Sequence, residues 1–273
     1  MNYAFITVLT NESYLGGVLV LSRSLQAVQS KYPLYVLLPS DSDPMLKNAL
    51  KKHNIQTLFR DQFSDDILRR DSNPQSYWRD TLFKLKVFQL TQFDKIICLD
   101  SDMVVMNNID HLFQKAHMSC VAAGKVLHPD WIHLNSGIMV IEPSDTTYHE
   151  LLRLVDPICT ELINRGVGFG DQDIIAAYYD EKWINNLELQ LPESYNCMLG
   201  YAGLLKKAGA IRSVDDIFIY HFTGRQKPWR NSLSEDAAIL IKILKRSKSY
   251  SALDLQLFYR YKQLLRLCLK QID

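Results

Sequence analysis

The chain has 273 residues, of which 47% are hydrophobic and 22% charged, with a formal net charge of +1. That balance fits a soluble globular protein with a substantial core, built as one large α/β domain or one domain with an appendage. It excludes a dedicated nucleic-acid binder, because no domain-wide basic excess is present, so attraction for an anionic ligand must be local.

Residues 4–10 predict a first buried strand, and Gly16-Gly17 followed by Val18 to Leu21, Leu25 and Val28 predicts a helix. Residues 34–38 predict a second strand that ends at Pro39, and Pro44 opens a helix at an allowed early position. Residues 55–59 predict a third strand, 81–90 a helix, and 96–99 a further strand. This alternation is the signature of a wound, mostly parallel sheet. The second half is less regular. Asn135-Ser136-Gly137 predicts a turn feeding a strand to Ile141, and residues 147–164 an amphipathic helix interrupted at Pro157. Residues 171–179 predict a helix with acidic residues in its first turn, 217–220 a last strand ending at His221, and the chain from Ser234 onward is helical and basic.

Five scattered cysteines, odd in number and without a CxxC or CxxxC pair, predict neither a disulfide framework nor a zinc site, and so a reducing, cytoplasmic setting. The N-terminus lacks a basic region and runs straight into a strand, so no signal peptide is expected. No stretch reaches the roughly 18 apolar residues of a membrane-spanning helix. The basic, aromatic tail from Leu253 to Leu267 suits either an anionic membrane surface or packing on the domain.

The most informative feature is the run Ile96 to Leu99 that ends in Asp100-Ser101-Asp102. Open α/β sheets place ligands beyond the carboxyl ends of their strands. Carboxylates this close repel unless a cation lies between them, which points to a hard divalent metal serving a phosphate. The plain alternative is one capping Asp and one solvated Asp. His221 precedes Phe222-Thr223-Gly224-Arg225-Gln226-Lys227-Pro228-Trp229. A lone His is more often structural, but Gly224 allows close backbone approach and Lys227 supplies a charge suited to phosphate. Two carboxylates with an imidazole suit Mn²⁺ better than Mg²⁺. The glycine-rich Gly166 to Asp171 lacks the context of a phosphate loop and reads as a lead into the next helix.

Five blocks, in order, resemble glycosyltransferase family 8, the glycogenin branch most closely. They are Thr10 to Tyr14 with the following helix; Lys84-Leu85 through Asp100-Ser101-Asp102 to Phe113; Asn135-Ser136-Gly137; Gly170 to Asp173; and His221 to Trp229. Galactinol-synthase-like and bacterial lipopolysaccharide relatives share the last. The resemblance implies a Rossmann-like nucleotide-sugar-binding sheet of GT-A type over residues 1–230, with a C-terminal helical extension over 231–273. It implies a retaining hexosyltransferase that uses a UDP-sugar, with Mn²⁺ or Mg²⁺ on Asp100, Asp102 and His221. Val8, Thr10, Asn11 and Tyr14 would surround uracil and ribose. Arg79, Lys84 and Ser101 would hold the donor; Asn135, Ser136, Asp171 and Gln172 would face its sugar, with Asp171, Gln172 and Asn135 catalytic. Gly224 and Lys227 would bind the diphosphate. The acceptor is a glycan, a lipid-linked sugar or another hydroxyl compound, and a homodimer stays open. Two departures matter. Gly168 stands where glycogenin carries an additional Asp, and Tyr201 and Tyr220 sit in no match to its self-glucosylated tyrosine. A glycoside hydrolase and a non-catalytic nucleotide-sugar-binding protein are the competing readings; the hydrolase needs two carboxylates flanking the bond, about 5–10 Å apart.

Overall fold

A computed structural model describes residues 1–64, 67, 80–230, 232–247 and 250–269. Strand side chains alternate between two buried faces. In β1 (Tyr3–Val8), Ala4 and Ile6 enter one core and Phe5 the other. In β4 (Lys95–Leu99), Ile96 and Cys98 oppose Ile97 and Leu99 in the same way. Burial on both faces is why these strands read as unbroken apolar runs. Around them lie β2 (Leu34–Pro39), β3 (Gln56–Arg60), β6 (Cys120–Val121), β7 (Asn135–Ile141) and β8 (Gln190–Leu191). The order is β3-β2-β1-β4-β7-β6-β8. β1 to β4 pair in parallel, and β7 runs antiparallel to both β4 and β6. This is the expected Rossmann-like arrangement, and its order reverses beside β1, between β2 and β4.

A second sheet carries β5 (Met103–Val105), β9 (Cys197–Met198) and β10 (Ile219–His221) in the order β5-β10-β9. Its antiparallel register sets His221 opposite Met103. The helices are α1 (Leu15–Ala27), α2 (Pro44–Lys52), α3 (Asp145–Asn164), α4 (Asp171–Ile184), α5 (Ala202–Lys207), α6 (Leu233–Ser247) and α7 (Ala252–Leu269). α3 and α4 cover one face of the large sheet, while α1, α6 and α7 share a core with the small sheet.

Two elements differ from expectation. Residues Thr81–Gln89 wind as a 3₁₀ helix, with Leu82 to Leu85, Val87 and Phe88 all buried. Burial on all sides removes the single apolar stripe that favours an α-helix, and packing sets the winding. α3 runs through Pro157 instead of breaking there. The missing N–H is offset by the anchoring of Tyr148, Leu151, Val155 and Cys159 in the core, and by Ser144, whose side chain caps the helix by accepting from the Thr147 amide.

Of the two readings of the tail, packing is the one observed. Leu257, Phe258, Tyr261, Leu265 and Cys268 of α7 are buried, Tyr261 lies 4.5 Å from Phe222 ring to ring, and the Cys268 thiol donates to the Leu19 carbonyl. No described helix is long and apolar enough to cross a membrane. All five cysteines are free and buried.

Candidate active site

The carboxyl ends of β1 and β4 open into a cleft of about 760 Å³, a volume typical of small-molecule sites. It gathers residues far apart in sequence. Val8, Thr10, Asn11 and Tyr14 line it with Lys84, Asp100, Ser101 and Asp102. Asn135, Ser136, Asp171 and Gln172 line it as well. So do His221, Gly224 and Lys227, whose Nζ lies 5.4 Å from the centre of the Tyr14 ring. Arg79, the remaining predicted site residue, lies outside the described residues.

The Asp-Ser-Asp turn is clamped between the sheets. The Asp100 amide donates to the Gly137 carbonyl at 2.9 Å, and the Phe222 amide donates to the Asp102 carbonyl at 2.9 Å. Close packing beneath it requires Gly17 on α1, where a β-carbon would run into the Ser101 carbonyl and meet the Trp229 ring at 3.0 Å. Trp229 is in turn fixed by donating to the Ser13 carbonyl at 2.7 Å, and it packs 5.3 Å from the Tyr14 ring. Gly224 has φ of +103°, a conformation that favours glycine.

One ligand atom each from Asp100, Asp102 and His221 lies within 4.8 Å of the others. His221 Nε2 is 3.1 Å from Asp102 Oδ1 and 3.8 Å from Asp100 Oδ2. Two lysines neutralise the carboxylates. Lys84 Nζ pairs with Asp100 at 2.5 Å and Asp171 at 3.1 Å, and donates to the Ser136 carbonyl at 3.2 Å. Lys227 Nζ pairs with Asp102 at 2.5 Å and donates to the Phe222 carbonyl at 2.9 Å. The ionisation of the two aspartates diverges. Burial raises the Asp100 carboxyl; Lys84 opposes this and Asp102 adds to it. Burial also works on Asp102, but Lys227 and His221 overcome it and hold that carboxyl well below the usual range.

A ladder of amides orients the imidazole. The Gly137 amide donates to Asn135 Oδ1 at 3.0 Å and the Ser136 amide to Gln172 Oε1 at 3.2 Å. Asn135 Nδ2 therefore donates to Gln172 Oε1 at 2.9 Å, while Asn135 Oδ1 receives Asn196 Nδ2 at 2.7 Å. Asn196 Oδ1 is left facing His221 Nδ1 at 2.9 Å. Nδ1 then carries a hydrogen, and Nε2 is the ring atom that faces the two carboxylates. A cation or a proton must stand between such groups, and two carboxylate oxygens with one neutral imidazole nitrogen are a fitting donor set for a divalent metal.

The sequence profile of glycosyl transferase family 8 matches residues 5–232. The chain belongs to that family. Relatives include glycogenin-1 of Caenorhabditis elegans, 32% identical over 85% of this chain and 52% of that protein. Glycogenin-1 of Mus musculus is 30% identical over 83% and 65%, and the uncharacterized protein R707 of Acanthamoeba polyphaga mimivirus 29% identical over 87% and 86%. The chain thus spans less than two thirds of these glycogenins. Among solved structures, the galactosyltransferase LgtC, in complex with donor and acceptor sugar analogues, superposes with a TM-score of 0.60 at 15% identity, over 90% of this chain and 95% of that one. At that identity the likeness speaks to the fold.

Sequence reasoning missed Asn196 of this family 8 chain, which carries no local signature beyond standing just before a two-residue strand. It also gave no site role to Asp80, Thr81, Asp173, Arg225 and Arg230, which line the same cleft. Tyr220 is wholly buried and donates its hydroxyl to Asp254 at 2.7 Å, so it is closed to glycosylation in this fold.

Proposed function

We propose that this family 8 glycosyltransferase moves a hexose, glucose or galactose, from a UDP-sugar to a hydroxyl acceptor with retention of configuration, using Mn²⁺ held by Asp100, Asp102 and His221. The observation that carries this reading is the convergence of those three ligands, from two sheets, in one cleft with Lys84, Asp171 and Gln172. The metal would supply Lewis-acid stabilisation of the charge that grows on the leaving diphosphate. Lys227 adds a fixed positive charge beside the same group, and Val8, Thr10, Asn11 and Tyr14 take the uridine. Asp171, buried at the head of α4 and tied to Lys84, together with the Gln172 carbonyl, faces the sugar as positive charge develops on its ring. Gln172 Oε1 already accepts two hydrogen bonds, and an amide oxygen is a weak nucleophile. This favours attack by the acceptor on the face that the diphosphate leaves, over a covalent enzyme intermediate.

The test is release of UDP from UDP-glucose and UDP-galactose with Mn²⁺, with and without sugar acceptors. Activity should vanish with EDTA and in Asp102→Asn, with the circular-dichroism spectrum of the folded chain retained. Turnover that survives both would refute the proposal, and EDTA-resistant sugar hydrolysis would mark a glycoside hydrolase.

A further inference from the structure

The family match ends at residue 232, yet the helix that follows contacts the loop that lines the cleft. Lys242, on α6, extends to the loop after β10. Its Nζ donates to the Thr223 carbonyl at 2.5 Å and lies directly against Gly224, where a β-carbon would collide with it. Thr223, Gly224 and Lys227 line the cleft together. Two other cations at this end have carboxylate partners: Lys227 pairs with Asp102, and Arg230 with Glu235 at 2.7 Å. Lys242 forms no ion pair with a carboxylate among the described residues; its bond is to a neutral carbonyl. Burial, with Arg246 and Lys227 beside it, pushes its ammonium down to about 8 against the opposing pull of Asp102. A positive charge held there is disfavoured, and an anion at the loop would relieve it.

We propose that Lys242 is a second lysine for the diphosphate, reaching the terminal phosphate across the space that Gly224 leaves without a side chain. The inference rests on the UDP-sugar reading above. Lysine suits the role as a compact point charge, and a charge placed beside the leaving group serves it as the bond to the sugar breaks. It follows that the segment beyond residue 230 contributes a residue to the chemistry as well as to packing.

The experiment is calorimetric titration of the full chain with UDP, UMP and uridine, each with MnCl₂, for the unaltered protein, Lys242→Met and Lys242→Gln. Both substitutions keep the aliphatic stem, and thermal melting identifies a variant that has not folded. UDP affinity should fall about tenfold or more in both, as expected for a lost charge-assisted hydrogen bond. Uridine affinity should stay within about twofold. Unchanged UDP affinity would overturn the assignment, and so would an equal loss for UDP and uridine, which would mean the loop had merely shifted. Failure of the unaltered protein to bind UDP would sink the nucleotide-sugar reading itself, and the role of Lys242 with it.

Discussion

Replacing Asp254 with alanine should remove much of the stability of the fold. The carboxylate of this buried α7 residue is the hub between the C-terminal helices and the strand that carries His221. Its Oδ1 accepts from the Gly200 amide at 2.9 Å, the Ala202 amide at 3.2 Å and the Tyr220 hydroxyl at 2.7 Å, and Oδ2 accepts from the Gly203 amide at 3.1 Å. Each buried donor left without a partner costs about 1–3 kcal/mol; the Gly200 amide still reaches the Tyr220 hydroxyl oxygen at 3.2 Å, so the other three give at least about 3 kcal/mol. A domain has about 5–15 kcal/mol in all. Part is recovered, because burial raises the Asp254 carboxyl, and the hydrogen bonds from Tyr220, Gly203, Ala202 and Gly200 lower it only in part. Asp254→Asn keeps the Oδ1 acceptor and sets an NH₂ group against the Gly203 amide alone, so it should cost about 1–3 kcal/mol. The sign with pH follows from the raised value. Just above 3.8 the folded state holds a proton that the unfolded state has lost, so this group's contribution falls as pH rises through that window. Asp254→Asn should remove that slope. Urea denaturation followed by circular dichroism should rank wild type above Asn above Ala at pH 7. An alanine variant within about 1 kcal/mol of wild type would refute the reasoning.

Asn196→Ala should weaken Mn²⁺ binding about 10–100-fold, read by calorimetry without nucleotide, while Asn196→Asp, which keeps an acceptor for His221 Nδ1, should retain more of it; equal affinities would end the orienting role. Gly17→Ala should cost about 1–3 kcal/mol in denaturant unfolding, because its methyl meets the Ser101 carbonyl and the Trp229 ring. Asp102 has a lowered carboxyl pKa, so its contribution to stability is complete above the unfolded value of 3.8 and is lost as pH falls below it. The stability gap between wild type and Asp102→Asn should therefore narrow from pH 6 to pH 3, and a constant gap would count against the Lys227 and His221 pairing.

Strands β1, β2 and β4 of the large sheet were legible because burial on both faces leaves apolar runs within residues 4–10, 34–38 and 96–99, and their boundaries moved by no more than a residue or two, whereas the two-residue β6 and β8 were not foreseen. Thr81–Gln89 was legible as helical but not as 3₁₀, since the winding answers to neighbours on every side. In the site, Asp100 and Asp102 declared themselves locally, as two charges at the end of a buried strand. His221 did not: 119 residues separate it from Asp102, and only the ordered set of family blocks linked the two. Asn196 and Lys242 were hidden for a different reason. Asn196 touches Asn135 and His221, and Lys242 the Thr223 carbonyl, and these contacts exist only once β9 and α6 have packed.

The location of the chemistry follows from the seam between the two sheets. Asp100 is anchored to β7 by its own amide, and Asp102 to the residue after His221 by its own carbonyl. These are backbone bonds, which nearly every residue type can make, so the spacing of the two carboxylates does not depend on their side chains. His221 is placed by the register of β10 on β5, again through the backbone, and its ring is turned by amides that start from the Ser136 and Gly137 N–H groups of β7. Position is thus set by main chain from both sheets, and the side chains at 100, 102 and 221 are left free to carry charge and lone pairs. A substitution that shifts one sheet against the other should therefore disturb all three ligands together, whereas one at a ligand should leave the other two in place.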